Sequence, residues 1–266
     1  MESMSQLLDL IAKAKVYDLG QPYFVGMPHH PVHPPFLYSL SKKHGDYVLP
    51  GGASSAAESM AMGGHVGTHL DALCHFSCGG KLHGGVEVAA IQSYSGGIEK
   101  WSVDTVAPIL RRGVLLDIAR HTGADVLPVD FSITPDLLEA AARAANVSIE
   151  PGDVLLLRTG WGQYWEDAAR YIAEVRGPGP EEAGARWLSE RGIFAAGSDT
   201  IAFERVPSRS MPVHVHLLVE RGIHIIEALN LEELAAARVH TFVFVAAPLK
   251  IRGGTGSPIR PLALAL

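Results

Sequence analysis

Three short apolar runs constrain the fold most. Val114–Ile118, Val154–Arg158 and Ile223–Ile226 are rich in branched aliphatic residues and bounded by polar or turn-forming ones. Runs of this length are too short for a core helix and read as strands covered on both faces. Helical signals stand between them. Thr134–Ala145 opens with Thr134 as N-cap and Pro135 in the first turn. Gly162–Arg176 reads as a helix ended by Gly177-Pro178-Gly179-Pro180, and Glu181–Glu190, Met211–Glu220 and Leu231–Ala237 as further helices. Phe194–Ala196 and Thr241–Ala246 add strands. This alternation predicts a mixed α/β fold, a mixed sheet with flanking helices. Neither an internal repeat nor a charged linker divides the 266 residues, so one domain over 1–266 is expected.

The first half is looser. Residues 4–15 read as an amphipathic helix, and Val16–Leu19 and Phe36–Ser41 as strands. Gly26–Pro35 (GMPHHPVHPP) is a proline-rich loop that suits neither a helix nor a central strand. Residues 44–64 are rich in Gly, Ser and Ala and show no period.

Composition excludes several classes of function. Hydrophobic residues make up 47% and charged residues 19%, which argues for a packed core over disorder. Lys plus Arg number 22 against 28 Asp plus Glu, a net charge of −6 without a basic stripe, so no nucleic-acid partner is expected. No apolar run approaches the roughly 18 residues of a membrane span. The N-terminus lacks the charged and apolar regions of a signal peptide. Cys74 and Cys78 are too few for a disulfide scaffold. These features together predict a cytoplasmic protein without a nucleic-acid or membrane partner.

The chemistry concentrates in histidine, of which there are 13. His65, His69, Asp71 and His75 are separated by 4, 2 and 4 residues. In an extended segment that parity lets all four side chains face one side. On a helix Asp71 would leave the face shared by His65 and His69, and Gly67 disfavours a helix there. Two imidazoles and a carboxylate are a common catalytic metal set that leaves room for water. No Glu follows His65, so the segment is not the zinc-protease helix. A second group runs from His214 to Glu227. A carboxylate ending an apolar strand is paired, metal-bound or turned to solvent.

At these residues the chain resembles the cyclase-type metal-dependent hydrolases, which include bacterial kynurenine formamidases and isatin hydrolases. GGHVGTHLDALCH is similar to the family signature H-x-G-T-H-x-D-x-P-x-H. Weaker matches follow in order: GMPHHPVHPP, LLRTGW, AAGSDT, the His214…Glu227 segment and PLKIRGGTGSPIRP. The likeness runs from about Asp18 to about Pro261. It departs at Leu73, where many members have proline, which implies a changed loop and points toward the isatin-hydrolase side.

The resemblance implies a swivelling β/β/α domain in a homodimer or homotetramer. It implies that His65, His69 and Asp71 bind a divalent metal, Zn or Mn. In binuclear members the aspartate bridges to a second ion, whose other ligands correspond to His214 and Glu227; His216 competes with His214. One or two ions per chain are therefore expected, with His75 as the catalytic histidine. The implied reaction is hydrolysis of an amide C–N bond in a small-molecule substrate: an aryl formamide, an isatin-like lactam or a cyclic imide.

Other residues admit two readings each. Phe36 and Trp161 either stack on a planar substrate or fill the core. Asp199 either orients substrate or holds a turn. Arg158 either pairs with a substrate head group or packs at a strand end. His29, His30 and His33 lie in a loop that either covers the site or is plain surface. Gly253–Gly256 reads as a close-approach loop and not a phosphate cradle. Cys74 reads as packing, while His83, His121, His224 and His240 have no assigned role. Two other functions compete: a metal-dependent cyclase or dehydratase on a polyketide-like substrate, and a metal-binding protein without turnover.

Overall fold

Val154–Arg158 forms a strand buried along its whole length, as an apolar run with neighbours on both sides must be. In the computed structural model, which describes residues 3–266, it is the central strand of a nine-stranded mixed sheet. We number the strands used below in chain order: β1 Lys15–Asp18, β2 Leu37–Lys42, β3 Ala57–Ala61, β4 His69–Asp71, β5 Ile109–Asp117, β6 Val154–Arg158, β7 Ala195–Ser198, β8 His224–Glu227, β9 Thr241–Ala246, β10 Gly256–Pro258 and β11 Leu262–Ala265. The sheet order is β1-β11-β9-β5-β6-β7-β8-β4-β10. Strands β5 to β8 are parallel, and antiparallel strands extend the sheet on both sides. Strands β2 and β3 pair with each other as a separate hairpin.

Alternate residues of the central strands feed two cores. Leu115, Val154, Leu156 and Ile226 pack on one side beneath loops, short strands and the short helix Glu232–Ala236. Val114, Leu155, Leu157 and Ile225 pack on the other against helices. Those helices are α2, Pro135–Ala144, and α3, Glu182–Glu190. Thr134 caps α2 by accepting from the Leu137 N–H at 3.3 Å, and the buried residues Leu138, Ala141 and Ala142 repeat at helical spacing. The N-terminal helix α1, Met4–Lys13, carries a Ser3/Gln6 capping box yet buries none of its residues.

Two predicted helices come out differently. Gly162–Arg176 divides into a 3-10 turn, Trp161–Tyr164, and a short helix, Ala168–Ile172. Asp167 starts the second piece by accepting from the Arg170 N–H, and Ala173, Glu174 and Val175 turn left-handed after it. Local carboxylate caps outcompete continuous helix here. Met211–Glu220 becomes a single turn, Pro212–His214, that widens into a π-helix, Val215–Arg221. Val114–Ile118 stops as strand at Asp117, whose carboxylate caps a new turn through the Arg120 N–H.

Candidate metal centre

The site grows from the pairing of β4 with β8. His69 stands directly opposite Glu227, and Asp71 opposite Ile225. Opposed residues share a face and so do residues two apart, so His69, Asp71 and Glu227 converge. On the other side of β4, Gly256 of β10 stands opposite Asp71. A Cβ at Gly256 would lie 2.4 Å from the His65 ring, so its absence makes room for that imidazole. His65 itself precedes β4 and enters through a turn at Gly67, whose φ is +72°. The signature histidines therefore do not lie along one strand; a left-handed glycine brings His65 back onto Asp71.

His65 Nδ1 lies 2.7 Å from Asp71 Oδ1, and its Nε2 lies 2.9 Å from Thr255 Oγ1. His69 Nε2 is 3.5 Å from Asp71 Oδ1 and 3.4 Å from Glu227 Oε2. His214 Nε2 is 3.2 Å from Glu227 Oε1 and 4.0 Å from Asp71 Oδ2. The donor atoms form two triads, His65–His69–Asp71 and Asp71–His214–Glu227, that share Asp71. All five residues are buried.

The outer edges of these rings are fixed by the protein. His69 Nδ1 donates to the Gly67 carbonyl at 2.8 Å. His214 Nδ1 donates to Glu204 at 2.6 Å, and Glu204 also accepts from the His214 backbone N–H. Both arrangements leave Nε2 facing the carboxylates, the orientation that metal-binding histidines take. Asp71 Oδ2 is buried without a hydrogen-bond partner, a costly state that a cation would relieve. A nitrogen and carboxylate set of this kind suits zinc or manganese.

The electrostatics agree. Burial opposes charge on His69 and His214, but their carboxylate partners outweigh it and raise both rings to about 10. Burial pushes Glu227 up, yet hydrogen bonds from His214 and His69 win and lower it to about 2. Burial pushes Asp71 up as well, but the surrounding histidine rings, with hydrogen bonds from His65 and His69, hold it well below the usual carboxylate range. Protons thus occupy the region where a divalent ion would neutralise the same carboxylates.

His75 lies at the edge of this cluster, its ring stacked on His65 with centroids 3.8 Å apart. Among the described residues no protein hydrogen bond engages its ring nitrogens. Loss of surrounding water holds it well below its usual value, hence neutral. His75, His65, His69, His214 and Glu227 line one wall of a cleft of about 430 Å3, and Phe76, Ile201, Val206 and Met211 give it apolar walls. His30 and His33 of the proline-rich loop close one side, with His33 stacked 5.2 Å from His65.

Residues 17–205 match the family model named Cyclase. The chain belongs to the Cyclase family. It is 32% identical to isatin hydrolase of Roseibium aggregatum over 216 residues, 77% of this chain and 73% of that protein. It is 22% identical to kynurenine formamidase of Bordetella petrii over 249 residues, 93% of this chain and 97% of that one. A solved structure described as a novel cyclase shares 33% identity at a TM-score of 0.89, covering 98% of this chain and 90% of that chain.

In this Cyclase-family chain, other candidates fall elsewhere. His216 turns away from the triads to Ser189 Oγ at 2.8 Å and Glu220 at 2.7 Å. Trp161 is buried, its Nε1 donating to the Leu127 carbonyl, and lies outside the cleft lining. Phe36 is buried at a separate apolar groove with Tyr23 and Met62. Their large rings complete cores that sequence does not distinguish from a stacking wall. Asp199 holds a turn, accepting from Thr159 N, Thr159 Oγ1, Gly160 N and Gly162 N. Arg158 is taken up by Asp117 and Glu232. Sequence reasoning missed Glu204, Thr255 and Phe76. An acidic residue just after the apolar Ile201–Phe203 was the one signal for Glu204.

Proposed function

We propose that the chain is a metal-dependent hydrolase that opens a C–N amide bond in a small flat molecule: an aryl formamide, an isatin-like lactam or a cyclic imide. The reading rests on one observation above others, two donor triads that share a buried Asp71 beside the unengaged ring of His75. His65, His69 and Asp71 hold one divalent ion, and Asp71, His214 and Glu227 hold a second. Zinc and manganese both fit this donor set.

A bound divalent ion supplies Lewis acidity and makes hydroxide accessible near neutral pH. The chain does the rest. The apolar wall of Phe76, Ile201 and Val206 positions a planar substrate and excludes bulk water. His75, neutral beforehand, takes the proton of the attacking water at a ring nitrogen. It returns that proton to the amide nitrogen as the C–N bond breaks. Glu204 and the Gly67 carbonyl keep the His214 and His69 rings from turning while charge develops. No lysine or arginine lines the cleft among the described residues, so an uncharged amide suits it better than one bearing an amino-acid carboxylate.

We also read the chain as a homodimer or homotetramer in the cytoplasm. The amphipathic helix α1 leaves Leu7, Leu8 and Ile11 exposed, and the β2–β3 hairpin exposes Leu37, Leu40 and Met60, apolar side chains that partner copies would cover. Both cysteines are free, as a reducing compartment requires. No helix among the described residues is long and apolar enough to cross a membrane.

The test is turnover of isatin, N-formyl aromatic amines and simple cyclic imides in 18O-labelled water. Hydrolysis places one solvent oxygen in the acid product. A product that forms without solvent oxygen would favour cyclase or dehydratase chemistry instead.

A further inference from the structure

At the opposite end of the parallel strands from Glu227 lies a second cavity of about 200 Å3. It opens where β5, β7 and β8 begin, and the strand register puts His224, Phe194 and Arg111 around it. Trp101 and Leu73 complete the apolar lining. Leu73 is the position where this chain departs from the signature proline.

Two polar groups at this cavity have hydrogen-bonding atoms that the protein leaves open to solvent or to a ligand. His224 is 8% exposed, and its Nδ1 is 2.9 Å from the Asp71 backbone carbonyl. A carbonyl only accepts, so Nδ1 carries the hydrogen and Nε2 is a bare acceptor. Among the described residues no protein donor reaches that nitrogen. The Arg111 guanidinium lies 4.0 Å over the Phe194 ring, and the Phe194 and His224 ring centroids are 5.5 Å apart. Its one hydrogen bond is a long one, 3.4 Å to the Gly152 carbonyl. No carboxylate pairs with it among the described residues. A cation stacked on an aromatic face keeps its N–H edges free for a bidentate acceptor.

We propose that this cavity binds a small planar aromatic carboxylate whose ring carries an N–H or O–H donor. The carboxylate meets Arg111, the ring lies against Trp101 and Phe194, and the donor reaches His224 Nε2. The volume admits a single ring and not a larger scaffold. The bond from His224 to the Asp71 carbonyl places the ligand one residue from the metal cluster, on the side away from the cleft. The proposal does not depend on what the cleft hydrolyses.

The test is calorimetric titration of the metal-loaded chain with 2-, 3- and 4-aminobenzoate, with benzoate and aniline as controls. Arg111→Gln and Ala107→Trp are run beside the wild type; both positions are exposed, so neither change strains the core. One aminobenzoate is expected to bind saturably, with both controls weaker. Each variant is expected to weaken it by about ten-fold or more, as loss of a charged hydrogen bond does, while metal content stays unchanged. No binding to wild type would overturn the proposal. So would equal binding to Arg111→Gln, which would place the ligand at the metal centre only.

Discussion

His69 and Glu227 face each other across the β4–β8 ladder, and their side chains meet at 3.4 Å. The two lie 158 positions apart in sequence (227 − 69), yet ladder register alone brings them together. Asp71, two residues beyond His69, is carried to the same face and lies within reach of both triads. The sheet thus sets His69, Asp71 and Glu227, while His65 and His214 come from a turn and a helical turn.

Glu204 touches no proposed ion but holds His214 Nδ1 at 2.6 Å. Glu204→Gln is expected to leave the fold intact and to weaken affinity at the second ion by about 10- to 100-fold. Competition with a chromogenic chelator measures this. Unchanged affinity for both ions would show that Glu204 does not orient the ring.

Gly256 lies against His65 so closely that any side chain displaces the imidazole. Gly256→Ala is expected to lower occupancy of the His65 site and to reduce turnover by about ten-fold or more, as a misplacement near 1 Å does. Thr255→Val removes only the hydroxyl beside His65 Nε2 and is expected to have the smaller effect. A Gly256→Ala chain with full metal content and full activity would refute the packing argument.

His75→Gln is expected to retain metal while kcat falls by about 10²- to 10⁴-fold. Metal analysis and steady-state kinetics on the same preparation separate the two effects. Equal loss of metal and activity would make His75 a ligand instead of an acid–base group.

Asp199 accepts from four donors, but burial outweighs them and pushes its carboxyl up from 3.8 to about 6. A raised carboxyl pKa favours folding fully only below the unfolded value, and that contribution is lost as pH rises through the folded value. The stability advantage of wild type over Asp199→Asn should therefore fall by about 2 kcal/mol between about pH 4.5 and about pH 7. Urea unfolding of both chains across this range gives the difference. A difference that is flat or grows with pH would contradict the assignment.

Burial raises the Cys74 thiol to about 12, while Cys78 is exposed. Iodoacetamide near pH 8 should add one label to the native chain, at Cys78, and a second only after unfolding. Two labels on the folded chain would show that the segment after Asp71 opens.

What sequence made legible follows the range of the forces involved. The apolar runs of β5, β6 and β8 and the Thr134 cap of α2 depend on neighbours in sequence, and they appear where pattern places them. His69 and Asp71 share a face through strand alternation, which is also local. His65 reaches the cluster through the left-handed Gly67, a conformation that parity does not encode. Thr255 arrives at His65 from a distant loop, and Glu204 folds back from a bend ten residues before His214, contacts that only tertiary packing sets. The helix expected over Gly162–Arg176 breaks because Asp167 and Asp199 capture nearby backbone N–H groups, a competition between local bonds that periodicity does not weigh.

The proposed centre depends on Asp71, the one carboxylate common to both triads. Metal content of the purified chain, of His214→Ala and of Asp71→Ala, measured by mass spectrometry after loading with zinc or manganese and gel filtration, tests it most directly. About two ions are expected per wild-type chain, about one in His214→Ala and none in Asp71→Ala. A wild type that holds no ion, or an Asp71→Ala chain that holds as many as wild type, would contradict it.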